Sequence, residues 1–373
     1  EKAARKYELP FGISFHADHA WTWYEPAQRY DKKGPKAGIP YDGTLTKADG
    51  KGKWWEGYDP QELYVQNHSL SGNAWSVWDW PQGTSIPTQE YFDNFFNRTV
   101  DMINRYNPDL IYFDDSVLPF WPIDNTGLDV VAHYYNRNMR LHDGRLSAVV
   151  FGKKLQASHK EALVWDVEKG VPSEAQPKPW QTCTCLGTWH YNRSCYDHNW
   201  YKSAKTVIHM LVDIVSKNGN MLLSVPIKGD GTIDDKEEKI LSDIAAWMDV
   251  NREGIFDTRP WTVYGEGPST ETDVPLDGAG FNEGKNLPYT SADIRFTTKD
   301  RTLYAHVLEW PENNRVNIRT LAANNPAVKA RVRSVELLGA GKVRFSRSEN
   351  GLEVFLPDNV RPNDISLVLK IKM

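Results

Sequence analysis

Pro108-Asp109-Leu110-Ile111-Tyr112-Phe113-Asp114-Asp115 decides how the chain folds: a short apolar run restarts after a proline and ends in two carboxylates. A proline cannot continue a helix, so it closes the segment before it and opens an extended one. In that preceding segment Tyr91, Phe92, Phe95, Phe96, Val100 and Ile103 recur at helical spacing. The unit reads helix, turn, strand, acid. A buried strand that delivers carboxylates at its C-terminal end is how barrel enzymes present catalytic acids. Asp-Asp after a strand is equally a helix cap or a solvated turn, so the motif has to be weighed with its neighbours.

Outward from this unit, strands alternate with helices as far as about residue 258. Strands are expected at 11–15, 146–151, 162–165 and 221–225. The first ends in His16-Ala17-Asp18-His19 and is followed by a long loop to about residue 60; the 162–165 strand runs into Asp166-Val167-Glu168-Lys169-Gly170-Val171-Pro172. A helix over 203–217 carries Val207, Ile208, Leu211, Ile214 and Val215 on one face and stops at Asn218-Gly219. Asp234, with Glu237 three residues on, caps a helix bearing Ile240, Leu241, Ile244, Trp247 and Met248. Such repeats imply an α/β fold, a parallel sheet closed as a (β/α)8-like barrel. After Trp261 the period becomes two, in Ile294/Phe296, Leu303/Ala305/Val307, Val316/Ile318, Val343/Phe345, Leu352/Val354/Leu356 and Ile365/Leu367/Leu369. That pattern predicts a C-terminal antiparallel β-sandwich, and hence a barrel domain over 1–260 and a sandwich domain over 261–373. Residues 265–288, rich in Gly, Pro, Asp and Thr, read as linker or loop.

Composition excludes several classes. The 373 residues are 40% hydrophobic and 25% charged, with a formal charge of −5, so there is no polybasic surface for nucleic acid or anionic membrane. No apolar stretch approaches the length of a membrane helix. The excess is aromatic: 15 Trp and 17 Tyr, several of them beside acids or histidines, as in His19-Ala20-Trp21 and Trp189-His190-Tyr191. Flat rings with polar neighbours suit sugars, although rings fill cores more often than sites. Cys183, Cys185 and Cys195 cannot all pair within the chain; they read as buried thiols, with a Cys195 bridge left open. His16-x-x-His19 lacks a third metal ligand, and Asp230-Gly231-Thr232 lacks the alternating acids of a calcium loop, so neither metal nor cofactor is expected. The chain opens inside a short amphipathic helix with Ala3, Ala4 and Tyr7 on one face, which suggests that an N-terminal portion of the barrel is absent.

Five blocks in order carry a resemblance. They are Phe11-Gly12-Ile13-Ser14-Phe15-His16 followed by Trp21, Leu110-Ile111-Tyr112-Phe113-Asp114, Trp180-Gln181-Thr182-Cys183, Trp189-His190-Tyr191-Asn192, and Gly219-Asn220-Met221-Leu222-Leu223-Ser224-Val225-Pro226 with Asp230-Gly231. Together, over roughly residues 1–265, they resemble the α-L-fucosidases of glycoside hydrolase family 29, and the sandwich fits that family's architecture. The resemblance implies an exo-acting, retaining hydrolase of terminal α-linked L-fucose, periplasmic or secreted, whose partner is a fucosylated oligosaccharide or glycan; oligomeric state stays open. It places the nucleophile at Asp114 and the acid/base at Glu168, with Glu174 as the fallback. Gln181 stands where some members carry a carboxylate, and Lys153 where relatives have an arginine, keeping the charge but losing the bidentate fork. Trp189 matches an aromatic that lines the pocket for the sugar's methyl group. His16, His19, Trp21 and Tyr112 are expected at the same mouth. The rival reading is a catalytically impaired fucose-binding relative with the same fold.

Overall fold

A computed structural model describes residues 1–17, 20, 29–41, 45–60, 87–114, 118–271, 276, 283, 288–328 and 330–373. The chain separates into two compact units, Glu1–Trp165 and Asp166–Met373. The first holds helix α1 (Lys2–Lys6), strand β1 (Gly12–Phe15), helix α2 (Gln89–Tyr106), β2 (Leu110–Phe113), α3 (Thr126–Leu141), β3 (Val149–Gly152) and the start of β4 (Val164–Glu168). Helix α2 begins on a Thr88 cap and ends where Asn107 turns into the left-handed region at φ 42°. Pro108 follows and β2 begins two residues later. The strands run parallel in chain order: Gly12 pairs Leu110, Leu110 pairs Val149, and Phe151 pairs Val164. Ile111, Phe113 and Val150 point from this sheet into a core with Tyr91, Phe92, Phe95 and Ile103 of α2 and Val130, Val131 and Tyr134 of α3. Each large apolar side chain so buried contributes on the order of 2 kcal/mol. Phe120 is fully buried, its ring meeting those of Phe92 and Phe95 edge-on at 4.9 Å.

The second unit holds the end of β4, then β5 (Trp180–Cys185), α4 (Arg193–His198), α5 (Ala204–Ser216), β6 (Gly219–Ser224), α6 (Asp235–Asn251) and β7 (Arg259–Glu266). It continues through β8 (Ile294–Lys299), β9 (Thr302–Val307), β10 (Arg315–Ile318), β11 (Ser334–Leu337), β12 (Gly341–Lys342), β13 (Arg344–Ser348), β14 (Gly351–Phe355) and β15 (Leu367–Lys372). Strands β5 and β6 are parallel over six residue pairs. The later strands form two antiparallel sheets, ordered β12-β11-β15-β9-β8-β7 and β10-β14-β13. Between them lies an apolar core that includes Phe296, Ala305, Leu369, Val316 and Val354. Strand-helix repeats on a parallel sheet, followed by this two-sheet stack, make the fold a (β/α)-barrel type with a C-terminal antiparallel β-sandwich.

Several expected bounds move. Residues 146–148 precede β3 rather than belonging to it, and β4 begins and ends later than expected, so Glu168 is the last residue of a strand instead of part of a loop. Helix α1 forms, but none of its residues is buried; Arg5 holds the N-terminus by pairing with Asp109 at 2.6 Å, and Asp109 also accepts the Phe11 amide. At the end of α5 it is Asn218, at φ 72°, that takes the left-handed turn. Gly219 is needed for space, since a Cβ there would lie 2.5 Å from the Trp180 ring. Strand β7 occupies part of the segment read as linker, and β11 and β12 complete the six-stranded sheet. All three cysteines are buried free thiols.

Period-two alternation alone would put Arg295, Thr297 and His306 in solvent. They are buried instead, because the second face of the six-stranded sheet packs on α5 and α6 through Tyr304, Val368, Ile208, Val212 and Trp247. Every polar side chain on that face therefore needs a partner inside the protein. Arg295 bonds Asp213 of α5 at 2.5 Å, and Asp213 also takes Lys217 at 3.0 Å. Burial works to raise the Asp213 pKa, but the two cations bring it below the usual carboxylate range. His306 shares its Nε2 with the Gly254 carbonyl and Thr297 Oγ1, each at 3.1 Å.

Burial pushes the His306 imidazole down to about 4, against the pull of the Gly254 carbonyl. The unfolded chain then binds a proton near pH 6.5, before the folded one does. The contribution is full above pH 6.5 and is lost as pH falls toward 4, up to about 3 kcal/mol by linkage. Urea denaturation of His306→Gln should show this slope removed between pH 6.5 and 4 relative to wild type. An unchanged slope would mean that His306 does not carry it.

Candidate active site

In the first unit, parallel register places three polar residues at one rim. Phe15 pairs Phe113, and Phe113 pairs Gly152, so His16, Asp114 and Lys153 are the first residues beyond three adjacent strand ends. The Asp114 amide still donates to the Phe15 carbonyl at 2.9 Å, which fixes the backbone as it leaves the sheet. Ile111 and Phe113 face the helices, so alternation turns Tyr112 and Asp114 to the opposite face. Lys153 donates to Asp114 Oδ1 at 2.6 Å, and its ammonium also lies 6.0 Å from the centre of the Tyr112 ring. Lys153 is nearly buried, whereas Asp114 keeps 39% of its side chain exposed. A buried ammonium is costly unless paired, so Lys153 engages one oxygen of the Asp114 carboxylate at the strand end. His16 is exposed at the end of β1. His19, Trp21 and Asp115 lie outside the described residues.

In the second unit, the end of β4 carries Asp166 and Glu168, two residues apart and therefore on one face. Asp166 is 1% exposed. It accepts Gln181 Nε2 at 2.8 Å and the Cys183 thiol at 3.4 Å, both from β5. This explains the departure at Gln181: a carboxylate there would face Asp166 and repel it, whereas an amide donates. Asp166 is a residue that sequence reasoning passed over, and its signal was the alternation with Glu168.

Glu168 is half-buried at the strand end, and Glu174 is exposed in the segment beyond. Lys169 follows Glu168 with its backbone at φ 44°, in the left-handed region, which costs a non-glycine residue about 1–2 kcal/mol. Its amide donates to the Cys183 carbonyl at 2.9 Å, and its ammonium lies 4.7 Å from the centre of the Trp189 ring. Trp189 is half-buried on the excursion that follows β5. That excursion is anchored by Cys195, packed on Gly187, by the Asn192 cap of α4, and by Tyr201 donating to Asp234 at 2.5 Å. Among the described residues no group of three or more His, Cys, Asp or Glu side chains is placed to hold a metal ion.

Each unit thus carries a carboxylate at a strand end, Asp114 with Lys153 in the first and Glu168 next to Lys169 and Trp189 in the second. A family model described as alpha-L-fucosidase matches residues 1–253, and one described as the alpha-L-fucosidase C-terminal domain matches residues 288–372. Among curated relatives, the tissue alpha-L-fucosidase of Bos taurus is 27% identical over 265 residues, 69% of this chain and 49% of that protein. The plasma alpha-L-fucosidase of Homo sapiens is 27% identical over 262 residues, 69% of this chain and 50% of that protein. The chain thus spans about half the length of these relatives. A solved alpha-L-fucosidase superposes with a TM-score of 0.61 at 21% identity, covering 100% of this chain and 66% of its own. The Thermotoga maritima alpha-fucosidase in complex with fucose gives 0.59 at 21%, covering 99% and 66%. With the alpha-L-fucosidase model extending over more than half of its residues, the chain belongs to the alpha-L-fucosidase family.

Proposed function

We propose that the chain is an exo-acting, retaining α-L-fucosidase that removes terminal α-linked L-fucose from oligosaccharides or glycans through a covalent fucosyl-enzyme intermediate. The observation that carries the reading is Asp114, a partly exposed carboxylate at a parallel strand end, held by Lys153 inside the region matched by the family. In this reading Asp114 attacks the anomeric carbon. Glu168 protonates the leaving oxygen and then, as a base, activates the water that releases the sugar. Lys153 offsets the nucleophile's charge before attack and steadies the carboxylate as it leaves. Trp189 is assigned the apolar wall for the 6-deoxy methyl group, and Tyr112, His16, His19 and Trp21 are assigned to sugar binding. A division into a barrel domain up to about residue 260 and a sandwich domain beyond it is part of the same proposal, supported by the two family models, which leave residues 254–287 unmatched.

Hydrolysis of an aryl α-L-fucoside tests the activity itself. Asp114→Ala should lower turnover by roughly 10⁴-fold or more, as loss of a catalytic nucleophile commonly does. Added azide should restore part of it and yield a fucosyl azide of inverted configuration. Wild-type turnover in that variant would remove Asp114 from the role. Absence of turnover in the wild type, with fucose still bound, would instead favour the binding-protein reading.

The acid/base assignment has its own test. Glu168→Gln should slow glycosides with poor leaving groups by about 100- to 10,000-fold, the usual contribution of general acid catalysis, and should slow activated aryl fucosides less. Azide should accelerate the latter and give a product of retained configuration, since it needs no general base. If Glu174→Gln shows this behaviour and Glu168→Gln does not, the role belongs to Glu174.

A further inference from the structure

We propose that Lys169 is a positioning residue that sets the specificity of the site by holding the Trp189 indole where a 6-deoxy sugar places its methyl group. The inference rests on the fucosidase reading above and adds a residue to it. Three observations carry it. Lys169 is the residue after Glu168, and its ammonium lies 4.7 Å from the centre of the Trp189 ring. Its backbone sits at φ 44°, a conformation that favours glycine, yet the chain has Lys at this position and Gly only at the next. Its amide donates to the Cys183 carbonyl at 2.9 Å, so the backbone that launches the side chain is tied to β5.

The left-handed turn and the cation–π contact act in one direction. A strand leaving the sheet along an extended path would carry residue 169 on the face opposite Glu168. The turn breaks that alternation, so the side chain that follows the acid reaches the ring of a different loop. A cation over an aromatic face fixes the ring's tilt and occupies one of its faces. The indole is then held by two supports, the anchored excursion after β5 that carries it and Lys169 over its ring. A wall held in this way discriminates by closeness of fit. The methyl of L-fucose packs against it, whereas the hydroxymethyl of L-galactose, the same ring with one more oxygen, has to displace it or leave its hydroxyl unpaired.

The experiment compares Lys169→Met, Lys169→Arg and Lys169→Gly with wild type. Two readouts are taken: the ratio of kcat/KM for aryl α-L-fucoside over aryl α-L-galactoside, and the ratio of affinities for free L-fucose and L-galactose. Lys169→Met should reduce both ratios by roughly ten-fold, about what one methyl or hydroxyl difference in a pocket is worth. The kinetic loss should appear mainly in KM for the fucoside. Lys169→Arg, which keeps a cation over the ring, should restore most of the discrimination. Lys169→Gly relieves the backbone and should melt no lower than wild type while losing discrimination as Lys169→Met does, which separates the side chain's role from the turn's. Wild-type ratios in Lys169→Met and Lys169→Gly would overturn the inference and leave the fucosidase reading standing. A wild-type protein that binds L-fucose over L-galactose without turnover would overturn the hydrolase reading, with the affinity ratios still deciding the role of Lys169. A wild-type protein with no preference between the two sugars would overturn the inference as well.

Discussion

A strand buried in a parallel sheet has few places for an unpaired charge, and its C-terminal end is the place that repeats from strand to strand. The candidate residues of the first unit follow from that constraint. Between Leu110 and Phe113 each residue must satisfy its ladder and pack its side chain, with Ile111 and Phe113 buried. One residue later the backbone leaves the sheet and a carboxylate can stand half in water. Because the strands are in register, the same step occurs at β1, β2 and β3, and His16, Asp114 and Lys153 share a rim that no local sequence signal defines.

How each buried charge is partnered then decides what it can do. Lys153 is paired with an exposed carboxylate, so its charge acts at the mouth. Asp166 accepts from an amide and a thiol of the neighbouring strand, which satisfies its carboxylate within the sheet. Asp213, Arg295 and Lys217 pair with one another in the interior. Such a network adds little net stability over an apolar replacement, but removing one member would strand the others. Glu237 follows the remaining route: it has no hydrogen-bond partner for either oxygen among the described residues, and burial, followed by the nearby Asp234, raises its pKa toward the neutral acid.

The sandwich is more than an appendage to be read from its alternation. Its six-stranded sheet has one face against the smaller sheet and the other against α5 and α6, so it is buried on both sides. That is why β8 and β9 contain polar residues with almost no exposure, and why these residues hydrogen-bond so densely to helix ends and to one another.

The sequence by itself determined the order of elements. Helical spacing from Tyr91 to Ile103, the proline that ends it, the apolar run into Asp114, the cap at Asp234 and the period of two after Trp261 are local signals, because each depends on residues a few positions apart. Alternation likewise put Tyr112 on the face of Asp114. The resemblance spread over five blocks named the family without any coordinates. What only the tertiary structure decided is which of these residues meet. That Lys153 reaches Asp114, that Asp166 is buried against Gln181, that Lys169 crosses to Trp189 and that His306 lies under Gly254 all depend on strand register and on which face a sheet turns to a helix. Those contacts join residues 15 to 52 positions apart, and their energies appear only when the intervening chain has folded, so no local pattern encodes them.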